Sequence, residues 1–124
     1  MNALRILVAD DDVVIGMLLS EMLEALGHDV CSVETTEADT VTAAARCRPD
    51  LMIIDVTLGA GSGVSALEQI LRFGPVAHLL ISGAGLQRCP PGAVVLQKPF
   101  REAELVRAMQ RALVAAAGVG SGYV

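Results

Sequence analysis

Aromatic side chains are almost absent from this chain: its 124 residues include one Tyr, two Phe and no Trp. A core must therefore be aliphatic, built from Ala, Val, Leu and Ile. Basic residues are scarce as well, with nine Lys and Arg against fourteen Asp and Glu, a net charge of −5. Nucleic-acid binding needs a basic face, often with interleaved aromatics, and no such partner is expected. No apolar run approaches the length that spans a bilayer. The opening residues carry neither the basic segment nor the cleavage signal of a secretory peptide. A cytoplasmic protein without membrane contact is expected. Cys31, Cys47 and Cys89 are odd in number and show no CxxC spacing, which disfavours a disulfide framework or a structural zinc site. Reduced thiols fit the same compartment.

Three short apolar runs end in charge. Ile6-Leu7-Val8-Ala9 runs into Asp10-Asp11-Asp12, Leu51-Met52-Ile53-Ile54 into Asp55, and Ala93-Val94-Val95-Leu96-Gln97 into Lys98-Pro99. Such runs read as buried parallel strands. Their C-terminal ends share one sheet edge, where open α/β folds bind ligands. Several carboxylates and one ammonium on that edge suggest a divalent metal and a phosphoryl group. Lys98 is the only lysine, and a compact ammonium suits a tight site better than a guanidinium fork.

The rest of the chain alternates helix and strand. Ile15, Leu19, Met22 and Leu26 fall at helical spacing over 13–26, with Gly27 as its stop. A strand at 30–33 follows. Thr36 can cap a second helix whose Val41, Ala44 and Ala45 would face inward. A third helix carries Leu67, Ile70 and Leu71 until Gly74-Pro75 stops it. Strands are expected at 76–81 and 93–97. A last helix over 101–116 would turn Leu105, Met109, Ala112 and Leu113 inward, with Glu102 and Glu104 complementing its dipole. The repeated βα pattern implies one doubly wound parallel sheet of five strands with helices on both faces. A domain over 1–117 and a flexible tail over 118–124 are expected. The segment 84–92 holds Gly85 and Pro90-Pro91 and is too short for a full crossover helix.

Taken singly, these features are weak: an acidic run can open a solvated helix, and an Asp or a Ser-Gly pair can make a turn. In this order and spacing they resemble the receiver domain of response regulators in two-component and phosphorelay signalling. The residues that match are the acids after strand one, Asp55 closing strand three, Leu58 and Gly63 in the loop beyond it, Ser82 closing strand four, and Lys98-Pro99-Phe100. The resemblance implies a flavodoxin-like strand order 2-1-3-4-5, with the helix between strands four and five shortened or absent. It makes Asp55 the phosphoacceptor, Lys98 and Ser82 the groups that meet the phosphoryl oxygens, and the Lys98-Pro99 bond cis. Asp10, Asp11, Asp55 and the Thr57 carbonyl would hold Mg²⁺, with Asp11 the first choice as direct ligand. Hard cations prefer such oxygen donors. The chain would then not be an enzyme, but would assist its own phosphorylation and dephosphorylation.

Several positions depart from the family pattern. Gly59 and Ser62 replace a usual Pro and Asp, so the loop after Asp55 is expected to be looser. Val95 stands where the switch aromatic is usual. With the fourth helix shortened, a monomer is expected rather than a dimer through that face. Val13, Val14 and Met17 would give the first helix an apolar outer surface, a docking place for a histidine kinase or a histidine phosphotransfer protein. Other readings are a phosphorylation-independent adaptor of the same fold and an aspartate-nucleophile hydrolase. Thr57 disfavours the second, because haloacid-dehalogenase-type phosphatases need an Asp at that position.

Overall fold

The computed structural model describes residues 2–83 and 89–121. Its elements are β1 Arg5–Ala9, α1 Val13–Ala25, β2 Asp29–Glu34, α2 Glu37–Cys47, β3 Leu51–Asp55, β4 Thr57–Leu58, β5 Gly61–Ser62, α3 Gly63–Leu71, β6 Ala77–Ser82, β7 Val95–Gln97 and α4 Glu102–Ser121. The five long strands form one parallel sheet in the order β2-β1-β3-β6-β7. This is the doubly wound order expected. The remaining pair, β4 and β5, is a small antiparallel hairpin just beyond β3.

Alternation along the central strands divides the core by sheet face. Ile6, Val8, Leu51, Ile53, Leu79 and Ile81 pack against Leu19 and Leu23 of α1 and Leu105 and Met109 of α4. Leu7, Ala9, Met52, Ile54 and Leu80 pack against Ala43 and Ala44 of α2 and Leu67 and Ile70 of α3. Because both faces are covered, β3 is buried throughout and reads as a continuous apolar run.

Helix ends follow local chemistry. Asp12 caps α1 by accepting from the Val14 and Ile15 amides, and Gly27 leaves it with a φ of 93°. Thr36 caps α2, accepting from the Asp39 amide. Two inward assignments change. Leu23 is fully buried, whereas Leu26 is only partly so; Ala45 is exposed because Thr40, Ala43, Ala44 and Cys47 take the sheet-facing stripe. The last helix also runs past its expected end, to Ser121. The alanine-rich stretch after Met109 has no proline to stop it. The expected tail therefore begins inside this helix, and residues 122–124 lie outside the described ones.

Between β6 and β7, residues 84–88 lie outside the described ones. Pro91 and Gly92 form a turn, closed by the Ala93 amide on the Pro90 carbonyl at 3.1 Å. Among the described residues this connection holds no helix.

Candidate phosphoacceptor site

Register places the acids. Ala9 of β1 lies opposite Ile54 of β3, so Asp10 and Asp55 leave neighbouring strand ends side by side. Asp11 follows into the loop. One oxygen from each of Asp10, Asp11 and Asp55 lies within 4.8 Å of the others. Asp12, the third acid of the run, stays out of this cluster as the α1 cap.

Lys98 arrives from the other side of β3. Ser82 pairs with Gln97 across β6 and β7, and the Lys98 amide donates to the Ser82 carbonyl at 2.8 Å. The Lys98-Pro99 bond is cis. The ammonium lies 2.5 Å from Asp55 Oδ2 and 2.9 Å from Asp10 Oδ2. Only the first contact is a directed hydrogen bond. Asp10 Oδ2 is buried without one, although it is ion-paired. Burial drives the Asp10 carboxyl above its ordinary range, against the pull of Lys98. Burial alone would depress Lys98, but the hydrogen bond with Asp55 and the negative charge of Asp55 and Asp10 outweigh it and raise its pKa.

Three further carboxylate oxygens accept from backbone amides. Asp55 Oδ1 accepts from Thr57 at 2.8 Å, Asp10 Oδ1 from Asp12 at 2.9 Å, and Asp11 Oδ2 from Gly59 at 3.0 Å. Asp55 is 4% exposed and Asp10 fully buried, whereas Asp11 faces solvent. Ser82 is buried one residue beyond Ile81, the cross-strand partner of Asp55. Its hydroxyl lies 3.3 Å from the Gly83 carbonyl. Gly63 makes the tightest approach. A Cβ there would sit 1.8 Å from the Asp55 carbonyl oxygen, so only glycine lets α3 start against the back of Asp55.

These donors fit a divalent cation. All are hard oxygens, and one ammonium leaves two of the three carboxylate charges uncompensated.

Every side chain picked from the sequence converges here: Asp10, Asp11, Asp55 and Lys98 directly, and Ser82 at the adjoining strand end. Thr57 contributes its amide. Val13, Val14 and Met17 lie nearby on α1, 60%, 64% and 56% exposed, together with Leu18 at 53%. They do not pack internally. Glu37, which sequence reasoning did not single out, grips the hairpin beyond Asp55. It lies far along the chain from that loop, and nothing in its local sequence marks the contact. The loop expected to be loose is a paired hairpin, and Ser62 caps α3 by accepting from the Ser65 amide.

Comparison with known proteins agrees with this fold. Residues 6–110 match the family model of the response regulator receiver domain. The chain is 25% identical to the chemotaxis protein CheY of Thermotoga maritima, over 86% of this chain and 95% of that one. It is 31% identical to the phyllosphere-induced regulator PhyR of Methylorubrum extorquens, over 90% of this chain but only 44% of the relative. The solution structure of the PhyR receiver domain from Erythrobacter litoralis superposes with a TM-score of 0.79 at 29% identity, covering 92% of each chain.

Proposed function

The chain belongs to the response regulator receiver domain family, and from that premise we propose that Asp55 accepts a phosphoryl group from a phosphohistidine in a Mg²⁺-dependent reaction. The observation that carries this reading is the Lys98 ammonium, 2.5 Å from Asp55 Oδ2 at the edge of a three-carboxylate cluster. Asp55 Oδ2 would attack phosphorus while the phosphorus–nitrogen bond of the donor breaks. The electron pair leaves with the imidazole, and an acyl phosphate remains. Phosphoryl transfer asks a protein chiefly for positioning and neutralised charge. Thr57 holds the non-attacking oxygen through its amide. Lys98 meets charge on the arriving group, and Ser82 offers its hydroxyl to a phosphoryl oxygen. When bound, Mg²⁺ supplies positive charge to the same oxygens; Asp11, Asp10, Asp55 and the Thr57 carbonyl are the groups that would hold it.

The donor is proposed to be a histidine kinase or a histidine phosphotransfer protein, seated on the exposed Val13, Val14 and Met17 face beside the cluster. Output is a change of protein contacts, in a cytoplasmic monomer, with no separate substrate turned over. No helix among the described residues is long and apolar enough to cross a membrane.

Intact mass after incubation with Mg²⁺ and phosphoramidate tests the chemistry. One added phosphoryl group is expected, absent with EDTA and absent in Asp55→Asn. No adduct from phosphoramidate or from a panel of kinases would replace this reading with the phosphorylation-independent adaptor.

A further inference from the structure

Glu37 sits in the first turn of α2, where the Thr36 cap and the helix dipole favour a carboxylate. Its side chain does not serve its own helix. Oε1 accepts from the Ser62 amide at 2.9 Å, and Oε2 accepts from the Ser65 hydroxyl at 2.7 Å and the Gln69 amide at 2.8 Å. Ser62 ends the β4–β5 hairpin, and Ser65 and Gln69 lie one turn apart on α3. A Cβ at Gly61 would sit 2.9 Å from both Glu37 Cβ and Oε1, so glycine makes room for the carboxylate.

The hairpin passes this constraint to the acidic cluster. Ser62 pairs with Thr57, and Gly61 with Leu58. The Thr57 amide holds Asp55 Oδ1, and the Gly59 amide at the hairpin tip holds Asp11 Oδ2. Two of the three carboxylates are thus oriented by amides of one short hairpin, whose far strand is tied to Glu37. The three hydrogen bonds fall on a charged acceptor, which makes each stronger than a neutral one. They hold the Glu37 carboxyl below its ordinary range, with the Ser62 amide the largest cause.

We propose that Glu37 is a positioning residue for the phosphoacceptor site, fixing the β4–β5 hairpin so that Thr57 and Gly59 present Asp55 and Asp11 to the cation. This rests on the phosphoacceptor reading. Glu37 touches neither the cation nor the phosphoryl group; it acts through the loop. Outer supports of metal ligands typically change affinity by about ten- to a hundredfold when removed.

The test titrates Mg²⁺ into ¹⁵N-labelled wild type, Glu37→Ala and Glu37→Gln, and follows phosphoramidate phosphorylation and urea unfolding in parallel. Glu37→Ala is expected to raise the Mg²⁺ Kd by about tenfold. It should also shift the Thr57 and Gly59 amide resonances in metal-free protein. Phosphorylation lost at low Mg²⁺ should largely return at saturating Mg²⁺. Glu37→Gln keeps an acceptor for Ser62 and is expected to bind Mg²⁺ within about threefold of wild type. If Glu37→Ala does not fold, Ser65→Ala removes one tether and is expected to raise the Kd by about threefold; an unchanged Kd there would overturn the proposal.

A Glu37→Ala protein with a lower urea midpoint but wild-type Mg²⁺ affinity and unshifted Thr57 and Gly59 amides would also overturn it, leaving Glu37 as a plain link between α2 and α3. Wild-type protein that neither binds Mg²⁺ nor gains mass would overturn the phosphoacceptor reading and this proposal with it. The wild-type arm separates the two failures.

Discussion

Gly63 and Glu37 show how residues remote from the chemistry constrain it. The Cβ of Gly63→Ala would fall 1.8 Å from the Asp55 carbonyl oxygen, so either α3 or β3 must move. The expected cost is about 3 kcal/mol, read as a lower urea midpoint, together with slower phosphorylation from a displaced Asp55. Glu37 gives a pH signature. Folding lowers its pKa below the reference value of 4.5. Its contacts therefore stabilise the fold above about pH 4.5 and are lost as the pH falls through the folded value. Glu37→Gln, which resembles the protonated acid, should lower the neutral plateau and so flatten the acid limb of a stability-against-pH curve below that point; an unaltered acid limb would contradict it. Asp10, Asp55 and Lys98 were legible in the sequence because each closes an apolar run, and Asp11 because it extends the first of these acidic ends. Glu37 was not, because its partners Ser62, Ser65 and Gln69 come together only through the packing of α2 against α3.

At the scale of elements, strand legibility followed from burial on both faces. β3 is apolar at four of five positions, and its one polar residue is Asp55. Helix faces were read less well. The spacing that selected Leu26 passed over Leu23, and Ala45 was exchanged for its neighbours, because small residues give α2 little contrast between its sides. The hairpin after β3 was missed because two-residue strands carry no period. In α1 the contrast is sharper and inverted. Leu19 and Leu23 fill the core, yet Val13, Val14, Met17 and Leu18 are more than half exposed. An outer face with four apolar residues next to the acidic cluster calls for a partner. Met17→Glu should therefore slow phosphoryl transfer from a cognate phosphohistidine protein by about tenfold or more, as loss of a buried interface side chain does. Its rate with phosphoramidate should match wild type, because the mutated face lies outside the cluster. Equal slowing with both donors would place Met17 in the chemistry rather than at an interface.

Across the whole molecule, the sheet order joins stability to the site. Placing β1 beside β3 buries Asp10 and Asp55 together, with Asp11 at the rim, and the repulsion among them is part of the cost of folding. One ammonium answers only part of it. The order could not be read from periodicity, since parallel strands buried on both faces look alike; it entered through the family resemblance, and the pairing of Ala9 with Ile54 bears it out. The consequence is an opposite response to one substitution with and without cation. Asp11→Asn keeps an oxygen for the Gly59 amide and removes one like charge within 4.8 Å of two others. Without Mg²⁺ the variant should be more stable than wild type by about 1 kcal/mol, the size of a like-charge contact at this range near solvent. With Mg²⁺ at a hundred times its Kd, wild type should gain about 2.7 kcal/mol by mass action. Asp11→Asn, with one carboxylate fewer to attract the cation, should gain much less, so the two urea midpoints should cross as Mg²⁺ is added. If Asp11→Asn is the less stable protein at every Mg²⁺ concentration, like-charge repulsion at Asp11 does not govern the stability of the metal-free fold.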